Sequence, residues 1–267
     1  MKIGLAQLNS RDDKERNLAA AEAAIDRLAA QGADLIMLPE MVNFLGSDLD
    51  NARAAEPIPG PSTDRLRAKA REHGVFLHCG SVIESRDGLL YNTSVVFDRT
   101  GAEVARYSKI HLFDVELPDG KVYKESAAIT PGAEVATFEC AGLTAGLAIC
   151  YDLRFPELFR ALADRGAHLL LVTAAFTLTT GKDQWEPLLR TRAIENGCYV
   201  AACGQWGASP PNNQCYGHSM VVDPWGMIAA QCHEGAGTLV AELDMDYLRA
   251  VRVRLPVLRH RRKDLFA

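Results

Sequence analysis

The chain has 267 residues, 48% of them hydrophobic and 24% charged, the composition of a folded soluble protein with a large core, and it contains no low-complexity segment that would point to disorder. Its formal net charge is −5 and its basic residues are spread over the body, which argues against nucleic acid as a partner and leaves small molecules. Layered α/β folds reach this length undivided, so a single domain over 1–267 is expected.

In chain order, the opening MKIGLAQLNSRDD reads as a strand at about 2–8 and turns polar too soon for a signal peptide. No later run is long enough to cross a membrane, so no membrane partner is expected and the cytoplasm is the default compartment. A helix over 14–30, introduced by Asp12 and Asp13 and stopped at Gly32, leads to a strand at 34–39 in LIMLPEMV. A helix at 62–73 ending at Gly74 precedes strands at 75–83, 90–98 and 102–108, which read as an antiparallel meander. The stretch from Ile110 to Pro131 has little periodicity, and loops of that length often form lids or site walls. Strands at 134–140, 143–149, 168–174 and 198–204 alternate with helices at 156–165 and 183–196, the pattern of crossover units. Strands at 217–223, 227–232 and 237–243 suggest a second meander, followed by a helix at 244–253. A mixed-sheet α/β architecture follows, with strands outnumbering helices about two to one.

The tail RLPVLRHRRKDLFA, 254–267, is basic but carries Leu255, Val257, Leu258, Leu265 and Phe266, so it is expected to dock on the protein or at a subunit interface. Seven cysteines without CxxC spacing fit a reduced interior, and the seven histidines include no HExxH pair, so no metal is expected.

Three residues sit where apolar strand-like runs stop. Cys150, in GLAICYDLRFPEL, would alone be ordinary buried packing, but a thiol between a strand and a helix start lies at a cleft, beside amides that stabilise a thiolate or an oxyanion. Glu40 is either a solvated loop acid or a carboxylate desolvated at the sheet mouth into a general base. Lys109 either snorkels from a sheet edge or directs its ammonium at developing negative charge. Glu125, in the long loop, is a surface acid or a second carboxylate that orients the lysine or positions water. His111, His218 and the pair Arg192 and Glu195 read as structural.

The strings LIMLPEM, RYSKIHLFD and GLAICYDLRFPEL, in this order, resemble the nitrilase superfamily of carbon-nitrogen hydrolases across essentially the whole chain. The segments TTGKDQWEPLLRTRAIENGCYV, YGHSMVVDPWG and LPVLRHRRKDL are similar to the branch that holds deaminated-glutathione amidase and omega-amidase, whose members commonly carry histidine where Gln184 stands. The resemblance implies a four-layer-forming αββα sandwich with mixed sheets, assembled as a homodimer or higher homo-oligomer, and a cofactor-free amidase. Glu40, Lys109 and Cys150 would be catalytic, with Glu125 and the backbone N–H of Tyr151 in support. Substrates of this branch carry a carboxylate, so a cation should line the pocket. Arg154 is the sequence-local choice, unless it pairs with Glu157, and Phe176 and Thr180 are spaced as pocket walls. Nitrile hydrolysis and a non-catalytic scaffold remain the alternative readings.

Overall fold

The structure, a computed structural model, describes residues 1–118 and 120–265, so Phe266, one of the tail's apolar residues, lies outside the described residues. Two mixed sheets stack face to face. In the first, the strands run in the order Gly237–Glu242, Lys2–Gln7, Leu35–Met37, Phe76–His78, Leu89–Phe97 and Val82–Arg86, with Glu103–Ser108 also on Leu89–Phe97. The second runs Ile228–Gln231, Met220–Val222, Tyr199–Gly204, Leu169–Ala174, Leu143–Ile149 and Thr137–Cys140.

Side-chain alternation builds the layers. On the first sheet Ile3, Leu5, Leu35 and Met37 enter the core between the sheets with Leu147, Leu171 and Val200, whereas Ala6, Ile36 and Leu38 turn outward. There they meet Leu18, Ala21, Ile25 and Leu28 of the helix Lys14–Ala30 and Leu66 and Ala70 of Pro61–His73. The helices Pro156–Asp164 and Leu178–Asn196 cover the other face of the second sheet. The result is the expected αββα sandwich. Its crossovers are as expected too: Lys2–Gln7 is parallel to Leu35–Met37, and Leu143–Ile149, Leu169–Ala174 and Tyr199–Gly204 are mutually parallel.

Four local expectations change. The strand expected at 75–83 divides into Phe76–His78 and Val82–Arg86. At the break Gly80 has φ +67°, and a Cβ there would stand 2.0 Å from the Pro39 carbonyl oxygen, so the chain bends to let the segment before Glu40 pass. The helix expected from 183 begins at Leu178, capped by the Thr177 side chain. Its first turn holds Gly181, where a Cβ would lie 2.4 Å from Tyr216.

The second meander does not close. Met220–Val222 and Ile228–Gln231 pair antiparallel, but Gly237–Glu242 crosses to the first sheet and pairs with Lys2–Gln7, from Lys2↔Glu242 to Gln7↔Gly237. Gln7 Nε2 steers this crossing by donating to the carbonyls of His233 (2.8 Å) and Gly235 (2.6 Å). The long loop after Lys109 contains a short hairpin, Asp114–Glu116 with Val122–Lys124, and a 3-10 turn at Glu125–Ala127. A second hairpin, Trp206–Ser209 with Asn213–Tyr216, meets the first: Lys121 Nζ donates to the Asn212 carbonyl at 3.0 Å and the Tyr123 hydroxyl to Asn213 Oδ1 at 3.0 Å.

Candidate active site

The carboxyl ends of parallel strands open onto a crevice, the usual place for ligands in layered α/β folds. Glu40 follows Leu35–Met37, Cys150 ends Leu143–Ile149, Ala175 follows Leu169–Ala174 and Lys109 follows Glu103–Ser108. All four line one cleft, between residues of both sheets. Seams close beside it hold the sheets together: Thr173 Oγ1 donates to the Leu38 carbonyl at 2.9 Å, and Gln205 Nε2 to the Glu40 carbonyl at 2.9 Å.

Cys150 has φ +50°, a left-handed conformation that costs a non-glycine residue of order 1–3 kcal/mol and turns the chain sharply from the strand into the 3-10 helix Cys150–Arg154. Two bonds fix that turn: Arg192 donates to the Leu153 carbonyl through Nε (3.1 Å) and Nη2 (2.9 Å). Arg192 also pairs with Glu195 at 2.9 Å, the structural role expected of both.

Glu40 is 4% exposed and held from three directions. Its Oε1 accepts from Asn92 Nδ2 at 2.8 Å and Lys109 Nζ at 3.4 Å, and its Oε2 from the Ala175 amide at 2.6 Å. Lys109 donates more closely to Glu125 Oε2, at 2.7 Å, and that oxygen also accepts from the Phe113 amide at 2.7 Å. Burial opposes the lysine's charge, but the carboxylates of Glu125 and Glu40 outweigh it, and the ammonium's pKa is raised. Burial, and then the facing Glu40 carboxylate, push the Cys150 thiol well above its usual range despite the opposing pull of Lys109. The thiol therefore keeps its proton, with the Glu40 carboxylate beside it.

Tyr151 lines the cleft with Cys150, and its N–H lies in the first turn of the 3-10 helix, where amides lack intrahelical acceptors. Phe176 and Thr180 also line it. Arg154 does not: its Nη1 donates to Gln184 Oε1 at 2.6 Å, its guanidinium lies over the Phe176 ring, and it forms no ion pair with Glu157. The cation that does line the cleft, besides Lys109, is Lys124. Sequence reasoning missed Asn92, Ala175, Gln205, Lys124, Ser209 and Asn213. Only Asn92 carried a signal, as part of a polar run, Asn-Thr-Ser, inside an otherwise apolar strand.

His111 stacks on Phe155 with ring centroids 3.7 Å apart, and His218 on Tyr216 at 4.1 Å, both as packing groups. All seven cysteines are buried and unpaired. Cys215 also lines the cleft, its thiol pushed up to about 12 by burial and then by Glu40. Among the described residues, one group has the spacing to hold a metal ion, Asp26, Glu72 and His73 on the outer helices. The Lys69 ammonium already sits on Asp26 at 2.8 Å and Glu72 at 3.0 Å.

Fold and site together define an α/β sandwich hydrolase with a cysteine, a carboxylate and an ammonium at the mouth of its sheets. The profile of the carbon-nitrogen hydrolase family matches residues 2–253, and the chain belongs to that family. It is 42% identical over 261 residues to a deaminated glutathione amidase of Synechocystis, covering 96% of each chain. With omega-amidase NIT2 of Homo sapiens it shares 38% over 266 residues, covering 100% of this chain and 96% of the relative. Among solved structures, a mutant of the amidase from Nesterenkonia sp. AN1, which shows covalent addition of the acetamide moiety of fluoroacetamide at its active-site cysteine, matches with a TM-score of 0.84. The two are 29% identical, and the match covers 100% of this chain and 95% of that one. Among the described residues no helix is long and apolar enough to cross a membrane.

Proposed function

We propose that the protein hydrolyses the amide bond of a small carboxylate-bearing amide such as deaminated glutathione, through a thioester on Cys150. The observation that carries this reading is the buried cluster in which Glu40 faces the Cys150 thiol while Lys109 bridges Glu40 and Glu125. Glu40 takes the thiol proton as sulfur attacks the carbonyl carbon. The oxyanion that forms is met by the Lys109 ammonium and the Tyr151 N–H, beside the buried Glu40 and Lys109 side chains, where such contacts are strong. The tetrahedral adduct collapses, the C–N bond breaks, and the amine leaves with the proton carried by Glu40. Water, deprotonated by the same carboxylate, then cleaves the thioester and returns the thiol. Glu125 holds Lys109 in place throughout, and no cofactor takes part.

Hydrolysis of 2-oxoglutaramate is the second reading, supported by the similar identity to the human omega-amidase, and nitrile hydrolysis is the third. The test is product release from deaminated glutathione, 2-oxoglutaramate, simple aliphatic amides and nitriles, with wild type beside Cys150→Ala. Cys150-dependent turnover of either keto-amide supports the amidase and picks the substrate; exclusive nitrile turnover, or none anywhere, overturns it.

The same reading takes the chain as a single domain that works in the cytoplasm as a homodimer, with the 254–267 tail near the subunit interface. Exposed Ile194, Trp225 and Met227 supply apolar surface for such a contact. Within the chain the tail is tied down by Arg261 and Lys263, which both pair with Asp164.

A further inference from the structure

Two groups stand between the carboxylates of Glu40 and Glu125, and they divide them unequally. The Lys109 ammonium lies 2.7 Å from Glu125 Oε2 and 3.4 Å from Glu40 Oε1. The Asn92 amide has the opposite order: its Nδ2 donates to Glu40 Oε1 at 2.8 Å and to Glu125 Oε1 at 3.3 Å. The cation therefore sits on one glutamate and a neutral donor on the other. The difference matters because a neighbouring cation opposes protonation of a carboxylate far more than a neutral N–H does.

Asn92 is placed for this by its strand. It lies in Leu89–Phe97, is 2% exposed and lines the cleft. Its carbonyl accepts from the Lys109 N–H at 2.8 Å, so the same residue fixes the backbone of the cation and the side chain of the carboxylate that faces Cys150. An amide nitrogen has two hydrogens, and here two carboxylates take them. Turning the amide over would bring Oδ1 against both carboxylates, so its orientation is set by charge. The consequence is that Oδ1 is buried with no hydrogen-bond partner among the described residues. A buried acceptor without a partner costs stability, which an aliphatic side chain at this position would not lose. The asparagine is thus explained by what its N–H groups hold.

We infer that Asn92 is a positioning residue that gives the two glutamates different roles: it holds Glu40 by a neutral donor, free to take the Cys150 proton, while Lys109 stays on Glu125 as its permanent counter-charge. This rests on the amidase reading and goes beyond it by assigning the distinction between the two carboxylates to a residue outside the proposed catalytic cluster.

The test reads the thiol directly and needs no substrate. Alkylation of Cys150 by iodoacetamide is followed by peptide mass spectrometry between about pH 6 and pH 9 in wild type, Asn92→Ala, Glu40→Gln and the double variant, with urea unfolding to show that each is folded. Asn92→Ala should slow alkylation about tenfold, the change that one hydrogen bond to a charged group is worth. Because Asn92 acts through Glu40, the same substitution should change little in the Glu40→Gln background, whereas a structural role alone would slow both alike. In the nearly isosteric Asn92→Asp, the new carboxyl repels both glutamates when ionised and can donate to Glu40 when protonated, so its rate relative to wild type should rise as pH falls. A wild-type rate in Asn92→Ala, an equal loss in both backgrounds, or an Asn92→Asp ratio that is flat with pH would overturn the inference. If Asn92→Ala does not fold, the Asn92→Asp ratio decides. Hydrolysis is scored separately on wild type, where absence of amide turnover with the alkylation pattern intact counts against the amidase reading and not against Asn92.

Discussion

The Tyr107 hydroxyl donates a 2.7 Å hydrogen bond to Asp152 Oδ2, joining the strand just before Lys109 to the turn that begins at Cys150. Asp152 is fully buried and serves both segments. It also accepts from the Ile149 amide at 2.9 Å and the His111 amide at 3.0 Å, and lies 2.7 Å from His111 Nδ1. One carboxylate thus sets the spacing between Cys150 and Lys109. Burial, and then this carboxylate, raise the Tyr107 phenol well above its ordinary pKa, so it stays a donor at all working pH values.

Replacing Asp152 by Asn should therefore lower kcat about tenfold or more with little change in KM, because positioning is lost and not substrate contact. It should also destabilise the fold by about 1–3 kcal/mol, since donors gathered on a carboxylate lose an acceptor. Steady-state kinetics beside urea unfolding will check both, and Tyr107→Phe, which removes a single donor, should be milder in each.

Cys150→Ala should abolish turnover, whereas Lys109→Ala should leave a residue of activity, about 10²–10³ below wild type. Their stabilities should diverge the other way. Losing Lys109 leaves Glu40 and Glu125 facing each other in a buried space, at a cost of about 3–5 kcal/mol, while Cys150→Ala removes a small group from a strained backbone position. Equal and mild losses of activity in the two variants would refute the assigned roles.

Gly80→Ala should damage the site without touching a reacting group. The new methyl would meet the Pro39 carbonyl and force the Glu40 segment to move, in addition to the strain of a positive φ. A loss of roughly 2 kcal/mol or more, with a drop in the rate of Cys150 alkylation, is the expected result. An unchanged alkylation rate would show that the Gly80 bend does not position Glu40.

His78 should make the protein acid-sensitive. Burial lowers its pKa from 6.5 to about 4, and its Nε2 has no partner among the described residues. The unfolded chain binds this proton more readily than the native one between those values. The stabilisation is thus complete above pH 6.5 and declines as pH falls toward 4, by about 2 kcal/mol between pH 7 and pH 5. Denaturant unfolding of wild type and His78→Gln at the two pH values should show this part of the pH dependence vanish in the variant.

The strand 143–149 and the helix 14–30 were legible residue for residue, because each is an unbroken periodic run closed by a sharp signal. That Glu40, Lys109 and Cys150 meet at one cleft was legible because each stands where such a run stops. Ala175 and Gln205 were not, since their contacts with Glu40 exist only once the two sheets face each other. The hairpins that carry Lys124 and Ser209 have strands of three or four residues, too short for alternation to register. Arg154 shows the limit of proximity in sequence: four residues from Cys150, it is turned by the 3-10 helix toward Gln184.

The strand Gly237–Glu242 has a consequence for biosynthesis. Lys2–Gln7 leaves the ribosome more than two hundred residues before its antiparallel neighbour is made. Until then one side of that apolar strand has unpaired N–H and C=O groups, the kind of edge that recruits other chains. A chain cut just before Gly237 would keep every residue of the proposed catalytic cluster and still be prone to aggregate, so the last strand works less for the chemistry than as the cover that lets the first be stored safely.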